Sequence, residues 1–183
     1  MTLDIVFPDN NEHEFIELAH KLGYARMVFA YEYPKVPKQK PEHDKIAVQL
    51  AVLAHPRQVA KAKKLSDFVM VKGNDRQVIE KAKPQLILEL ESQPKKDPMH
   101  ARNSGLNHVL CELLHKNNIA VGLSLHLLLH SEHRSMLLGR MLQNIRLCKK
   151  YKVKLVLASF AINPYEMRSA HDMAALERCL GMQ

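Results

Sequence analysis

Apolar and polar positions follow two different periods along the chain, and their alternation predicts repeated β-α units. Short runs rich in Val, Ile and Leu, apolar at successive positions, are typical of parallel strands that are covered on both faces. Seven such runs predict strands at residues 3–7, 25–30, 46–54, 68–71, 86–90, 120–125 and 154–158. Apolar residues spaced three and four apart predict helices at residues 12–22, 56–64, 76–82, 106–116, 131–151 and 164–180.

Local signals mark several of the predicted helix starts. Asn163 precedes Pro164, a cap residue followed by proline at the first helical position. Asp75 and Ser131 are further candidate N-caps. The helix at 106–116 follows the polar, basic loop that begins at Arg102, so the sequence places positive charge at a helix N-terminus, where backbone N–H groups favour an anion.

Repeated β-α units favour either a doubly wound sheet or a barrel, and periodicity does not decide between them. Seven predicted strands are one short of an eightfold barrel, and 183 residues are fewer than a TIM barrel usually has. The length fits one domain, residues 1–183, with no evident linker or low-complexity tract.

Charge and composition narrow the class of partner. The formal net charge is +8, which favours a polyanion such as nucleic acid. No apolar run approaches the roughly 20 residues of a membrane helix, and the N-terminal residues do not suit a signal peptide. The three cysteines form no CxxC pair and indicate buried thiols in a reducing compartment. We therefore expect a soluble, cytoplasmic protein.

The loops that follow the strands would gather on one face of a β/α barrel, where function usually lies. The predicted loops hold these cations: Lys35, Lys38, Lys40, Arg57, Lys72, Arg76, Lys95, Lys96, Arg102 and Arg134. Lys72 and Arg102 each neighbour a glycine turn and polar residues that can bind phosphate. For the groups at 35–40 and 95–96, simple solvation of the surface is an equally good interpretation.

Candidate catalytic chemistry is sparse. His126, His130 and His133 have an HxxxHxxH spacing, which on one continuous helix would suggest a metal site. We interpret them instead as loop histidines, because His126 is expected to end a strand and Ser131 to begin the next helix. Glu132 is the only carboxylate near them in the sequence. We predict no metal site and no catalytic residue.

A rival barrel class, the polymerase-and-histidinol-phosphatase metallohydrolases, opens its first strand with an HxH metal pair. Here Asp4 and Val6 occupy the corresponding positions, so the ligands are missing. We expect Asp4 to be a polar residue within the barrel or a contact to a strand end. The signatures GxGxxG, GxxxxGK[ST], GxSxG and HExxH are also absent.

The predicted helix at 131–151 should place Met141, Ile145 and Cys148 against the barrel. Its two arginines, Arg140 and Arg146, have three open roles: contact with RNA, pairing with carboxylates, or an interface with a partner protein.

Two long motifs carry a family resemblance. SGLNHVLC at 104–111 and NIRLCKKY at 144–151, with RSAHD at 168–172 and the terminal LGM, resemble the ribonuclease P protein component 3 family. The similarity is clearest over 102–161 and weaker over LDIVFP and the turn at 72–76. It implies an α/β fold, a compact TIM-like (β/α) barrel of about seven units. The candidate RNA-binding residues are Lys72, Arg76, Arg102, Asn103, Ser104, Arg134 and Arg168.

The resemblance also implies a function. Ribonuclease P cleaves precursor tRNA to release the 5′ leader, and in this family's holoenzyme the catalytic groups and Mg²⁺ ions belong to an RNA. The isolated chain is then expected to be non-catalytic and to bind no cofactor. Its implied partners are the ribonuclease P RNA, a small ferredoxin-like α/β subunit, other protein subunits and, indirectly, precursor tRNA. The lack of added tails resembles the archaeal form.

Two alternatives remain open from the sequence. One is a stand-alone metal-dependent phosphoesterase, and the other is a protein-interaction barrel whose positive charge is incidental.

Overall fold

The computed structural model describes residues 3–37, 39–41, 43–92, 96–99 and 102–182, so Lys38 and Lys95 lie outside the described residues. Seven parallel strands form one sheet in sequence order. The strands are β1 (Leu3–Val6), β2 (Arg26–Glu32), β3 (Ala47–Leu53), β4 (Val69–Lys72), β5 (Leu86–Leu88), β6 (Ala120–Ser124) and β7 (Leu155–Ala158). All seven predicted strands are confirmed, with ends that differ by at most two residues.

The two edge strands meet, which closes the sheet into a near-complete barrel. The backbone N–H of Phe160 donates to the carbonyl of Ile5, and that of Phe7 donates to Ala161, each at 2.8 Å. The buried Asp4 carboxylate accepts from the N–H of Ser159 at 2.7 Å. The predicted TIM-like barrel is therefore confirmed, and Asp4 contacts a strand end as expected.

Alternate residues of the strands fill the barrel interior, because successive side chains of a strand point to opposite faces. One buried cluster joins six of the seven strands and contains Ile5, Val28, Ala30, Ala51, Met70, Leu86, Leu88, Ala158 and Phe160. From β6, Gly122 lies against Leu86 and Phe160, and a Cβ atom there would be only 3.1–3.2 Å from their side chains. Side chains fill the barrel interior, so a functional site is expected on the loops at its ends.

Six α-helices surround the described barrel: α1 (Glu12–Lys21), α2 (Val59–Ala62), α3 (His108–Lys116), α4 (Leu125–His130), α5 (Arg134–Lys150) and α6 (Ala170–Cys179). Shorter turns occupy Pro56–Gln58, Leu90–Ser92 and Pro164–Glu166, and a π-helical turn occupies Val78–Ala82. No helix in the described part of the chain is long and apolar enough to cross a membrane.

Helix α4 was not predicted. The strand expected to reach Leu125 ends at Ser124, whose side chain accepts from the N–H of Leu127 and so starts a helix at once. Ser131 was wrongly predicted as an N-cap: it lies at the C-terminal end of α4, and His133 precedes the first residue of α5. His126 and His130, which were predicted to lie in a loop, therefore lie on helix α4.

Other helix boundaries agree with the local signals. Asn163 caps the turn that follows it, and the Glu166 carboxylate accepts in return from the backbone N–H of Asn163. The Asp75 carboxylate accepts from the N–H of Gln77. The predicted helix at 164–180 is divided, because Met167 and Ser169 have extended backbone conformations. The 106–116 helix begins at His108, after the cap residue Asn107.

Candidate nucleic-acid interface

The loops that follow the strands surround two adjoining clefts at the C-terminal mouth of the barrel. The larger has a volume of about 730 Å³ and the smaller about 470 Å³, and Glu32, Leu53 and Lys72 line both. The charged residues that line the larger cleft are Asp9, Glu12, Glu32, Lys35 and Lys72. The mouth therefore has mixed charge, and the other predicted cations among the described residues lie outside the lining of both clefts.

Lys72 ends β4 and reaches the mouth of the barrel. Its ammonium lies 2.7 Å from the carboxylate of Glu89, and its side chain is 49% exposed. The turn that follows needs glycine at position 73, where φ is +93°. Arg76, after the turn, pairs with Glu80 one helical turn on, at 2.8 Å. Both cations keep exposed donor groups while a carboxylate orients each of them.

The turn at Lys72 and the loop at Arg102 are directly connected. The Asn74 side-chain amide donates to the carbonyl of Gly105 at 2.9 Å. Gly105 itself has φ +84°, and a Cβ atom there would overlap the carbonyl of Leu90. Two segments that were singled out separately in the sequence therefore form one continuous surface.

Helix α5 holds the loop of Arg102, Asn103 and Ser104 in place. The Arg102 guanidinium donates to the carbonyl of Gly139 at 2.8 Å, and Gly139 leaves the space that this guanidinium fills. The carbonyl of Ser104 accepts from the Asn144 amide at 2.9 Å, and Ser104 is only 1% exposed. Arg102 is exposed, whereas the Ser104 hydroxyl faces the interior.

Asp97 ties the same loop to a buried arginine. Its carboxylate accepts from Arg140 and from the backbone N–H of Asn103, each at 2.8 Å. The hydrogen bond from Arg140, with help from Asn103, lowers the pKa of Asp97. Arg140 is 1% exposed and also donates to the carbonyl of Glu91. Among its three open roles, the structure supports carboxylate pairing, while Arg146 is exposed.

One of the free backbone N–H groups at the N-terminus of α3 already has a hydrogen-bond partner. The Asn107 side chain accepts from the N–H of Leu110 at 2.9 Å, so one of the free donors that would attract an anion has a partner within the chain. His108 begins the helix and is exposed. The anion-binding capacity of this segment thus depends more on Arg102 than on the helix end.

Arg134 and Arg168 lie on two other loops of the same end of the barrel. Arg134 is the first residue of α5 and donates to the carbonyl of Leu129 at 2.6 Å. Arg168 donates one guanidinium nitrogen to the carbonyls of Glu166 and Met167, at 3.1 and 2.9 Å. Both side chains are exposed. They belong to the segments after β6 and β7, whereas Lys72 ends β4, and Arg76 and Arg102 belong to the segments after β4 and β5.

Two features were not predicted from the sequence. The first is a cluster of His126, His130 and Glu166, whose ligand atoms lie within 4.8 Å of one another. The spacing of the two histidines was its only local signal, since Glu166 is 36 residues from His130.

The second is the buried acid Glu91. Neither of its carboxyl oxygens has a hydrogen-bond partner in the described part of the chain. Burial raises the pKa of Glu91 to about 7. The other buried acid, Asp4, has its pKa raised to about 6 by burial, against the hydrogen bonds from Ser159 and Ile5.

Comparison with known proteins decides the family. The sequence profile of the family described as RNase P subunit p30 matches residues 1–183. The chain belongs to this family. Ribonuclease P protein component 3 from Methanosarcina mazei is 29% identical over 95% of this chain and 76% of that protein. The component 3 protein of Methanothermobacter thermautotrophicus is 27% identical over 90% of this chain and 74% of its own length.

Solved structures agree on the fold of this p30-family chain. A chain in the cryo-EM structure of archaeal ribonuclease P with mature tRNA superposes with a TM-score of 0.80 at 22% identity, covering 97% of this chain and 82% of that one. Histidinol phosphate phosphatase from Lactococcus lactis, complexed with zinc, L-histidinol and phosphate, superposes with a TM-score of 0.66 at 11% identity, covering 100% and 94%. At these identities the likeness concerns the barrel alone.

Proposed function

We propose that this chain is a protein subunit of ribonuclease P that binds and shapes the catalytic RNA without supplying catalytic groups. The observation that carries the proposal is the p30-family match along the whole chain. Relatives named ribonuclease P protein component 3 support it over most of their length. The stand-alone phosphoesterase lacks this support, because the likeness to histidinol phosphate phosphatase concerns only the fold.

The RNA contact surface in this proposal is the continuous segment formed by the turn at Lys72 and the loop at Arg102. Lys72, Arg76 and Arg102 are exposed and bind phosphate oxygens, while the backbone of Asn103 and the buried Ser104 hold the loop against α5. Arg134 and Arg168 form the second contact. Fixed arginines suit phosphate because their geometry needs little further ordering on binding.

The partners in the proposed assembly are the RNA, a small ferredoxin-like α/β subunit and the other ribonuclease P proteins, with precursor tRNA reached indirectly. The catalytic Mg²⁺ ions are held by the RNA, and the complex works in the cytoplasm. An electrophoretic shift with the ribonuclease P RNA, with and without the small subunit, separates this proposal from a protein-interaction barrel, which would give no shift in either case.

Reconstitution is the direct test of the function. Precursor-tRNA cleavage should be faster or tolerate lower Mg²⁺ when this chain is added to the RNA and the remaining subunits. The purified chain with divalent metal but without the ribonuclease P RNA should cleave neither precursor tRNA nor a phosphomonoester. Activity of the chain alone would favour the phosphoesterase, and cleavage unaffected by its addition would contradict the proposal.

The contact residues are tested by salt dependence. Each phosphate contact contributes slightly less than one unit to the slope of log affinity against log salt concentration. Lys72→Ala and Arg102→Ala should each reduce the slope by about one unit or less. Lys154→Ala is the matched control, because this exposed lysine precedes β7 at the opposite end of the barrel. Equal slopes in all four proteins would remove the contact assignments.

A further inference from the structure

Helix α4 and the turn before α6 bring two imidazoles and a carboxylate to one point. His126 Nδ1 lies 2.9 Å from Glu166 Oε2, and His130 Nε2 lies 3.0 Å from Glu166 Oε1. The two imidazole rings are 4.3 Å apart between centroids. One ligand atom from each of the three residues falls within 4.8 Å of the others. They are the only such group of three metal-ligating side chains in the described part of the chain.

The local backbone structure places these three side chains together. His126 and His130 are four residues apart on α4, so they lie on the same face of the helix. Glu166 is held by its own turn: Oε2 also accepts from the N–H of Ile162 at 3.1 Å, and the Asn163 capping box fixes the residue. Arg168 donates to the carbonyl of Glu166 and so leaves the carboxylate to the histidines.

The arrangement suits a cation because both oxygens of the Glu166 carboxylate are engaged at one point: Oε2 lies against His126 and the N–H of Ile162, and Oε1 lies against His130. A neutral imidazole presents a lone pair on one nitrogen once its proton moves to the other, so both histidines can turn from donors to Glu166 into metal ligands.

We propose that His126, His130 and Glu166 form a binding site for one Zn²⁺ ion, which joins α4 to the turn before α6. Two imidazole nitrogens and one carboxylate oxygen suit zinc, whereas Mg²⁺ and Ca²⁺ require mainly oxygen ligands. Zinc ligands at about 2.0–2.2 Å from the ion lie roughly 3.3 Å apart in a tetrahedron. Contraction of the widest separation to that value needs only small side-chain movements, and His130 is 56% exposed and free to make them.

The ion takes water as its fourth ligand, because three protein ligands leave one tetrahedral position open. It cross-links the segments after β6 and β7, which also carry Arg134 and Arg168. The zinc site is thus a structural link at the C-terminal face of the barrel. It departs from the expectation, drawn from the sequence, that the chain holds no metal, and none of its three ligands is a proposed RNA-contact residue.

Zinc titration of the purified full-length chain, without RNA, tests the proposal. Binding is measured with a chromogenic competitor, and Co²⁺ is used as a spectroscopic probe because a four-coordinate ion gives a strong visible band. We expect one equivalent of Zn²⁺ to bind, and millimolar Mg²⁺ not to compete. At a free zinc concentration a hundredfold above the dissociation constant, the melting temperature should rise by roughly 5–10 °C.

Variants assign the site. His130→Ala and His126→Gln should each weaken zinc binding at least about tenfold and abolish the thermal shift. Loss of a residue that only supports a metal ligand already weakens binding about 10- to 100-fold, and here a ligand itself is lost. His133→Ala is the matched control, because this histidine belongs to the same HxxxHxxH segment but lies outside the cluster. Cys179→Ser removes an exposed thiol, a side chain that also binds zinc, and should leave binding unchanged.

Circular dichroism of each metal-free variant separates loss of the site from loss of the fold. If His126→Gln does not fold, His130→Ala decides the matter, since the His130 side chain is half exposed and its hydrogen bond among the described residues is to Glu166. Absence of saturable zinc binding in the wild-type chain overturns the proposal, as does equal binding in His130→Ala and the wild type. Either result leaves the ribonuclease P assignment untouched, because no RNA is present.

Discussion

Replacement of Glu91 by glutamine should remove a large pH dependence of stability. Glu91 is fully buried in the turn after β5, and both carboxyl oxygens lack hydrogen-bond partners in the described structure. Burial raises its pKa from 4.5 to about 7, so the folded protein holds the proton more tightly than the unfolded chain does. Glu91→Gln keeps the shape and polarity of the neutral acid but cannot titrate.

The sign and magnitude follow from linkage. Because the folded-state pKa is raised, the contribution of Glu91 to stability is fully present below pH 4.5 and is lost as the pH rises to about 7. A rise of this size corresponds to about 3 kcal/mol, at about 1.4 kcal/mol per pKa unit. The wild-type chain should therefore lose about 3 kcal/mol relative to Glu91→Gln between pH 4.5 and 8.

Urea unfolding followed by far-ultraviolet circular dichroism measures the difference, at half-unit steps across this range. Asp4, whose pKa is also raised, titrates in both proteins and cancels when the two free energies of unfolding are subtracted. Glu132→Gln is the control, since Glu132 is exposed beside α5 and its curve should parallel the wild type. Parallel curves for the wild type and Glu91→Gln would refute the argument from burial.

Three further predictions concern the loop and helices at the proposed RNA surface. Gly139→Ala places a Cβ atom 2.8 Å from Arg102 Cζ, so it should weaken RNA binding, and the double variant with Arg102→Ala should bind no more weakly than Arg102→Ala alone in filter binding. Asn107→Ala should lower the free energy of unfolding in urea by about 1 kcal/mol, through loss of the α3 cap. Asp97→Asn should lower the melting temperature at pH 7 by leaving Arg140 without its anion. Since the pKa of Asp97 is lowered, the wild type loses this advantage as the pH falls below 3.8, and equal acid sensitivity of the two proteins would contradict the pairing.

The strands were predictable because each contains a short apolar run; β4 and β5 are buried almost throughout, whereas β3 is largely half-buried. The same rule failed at Leu125–His130: an apolar segment after β6 has no period that distinguishes a strand from a buried helix, so the cap at Ser124 was overlooked. The predicted helix at 164–180 is instead a short turn followed by a separate helix, because the backbone is extended at Met167 and Ser169. No residue pattern in this segment predicts that interruption.

The site was predictable only in part, for reasons of burial and distance. Sequence placed Lys72 and Arg102 on loops at one end of the barrel, but the Asn74 bond that joins their segments spans 31 residues. Charged residues are ordinarily exposed, so the burial of Glu91 and Arg140 contradicts the usual expectation. Glu166 joins His126 across 40 residues, a pairing visible only in the folded chain.

The seam between β1 and β7 has a consequence for the order in which the chain acquires its structure during synthesis. Every other pair of neighbouring strands is consecutive in the sequence, so the sheet can extend from β1 while translation proceeds. The contact of Asp4 with Ser159 spans 155 residues and forms only after β7 has left the ribosome. Until then β1 presents an unpaired edge, and a nascent chain stalled before residue 159 should be a substrate for chaperones that bind exposed strands.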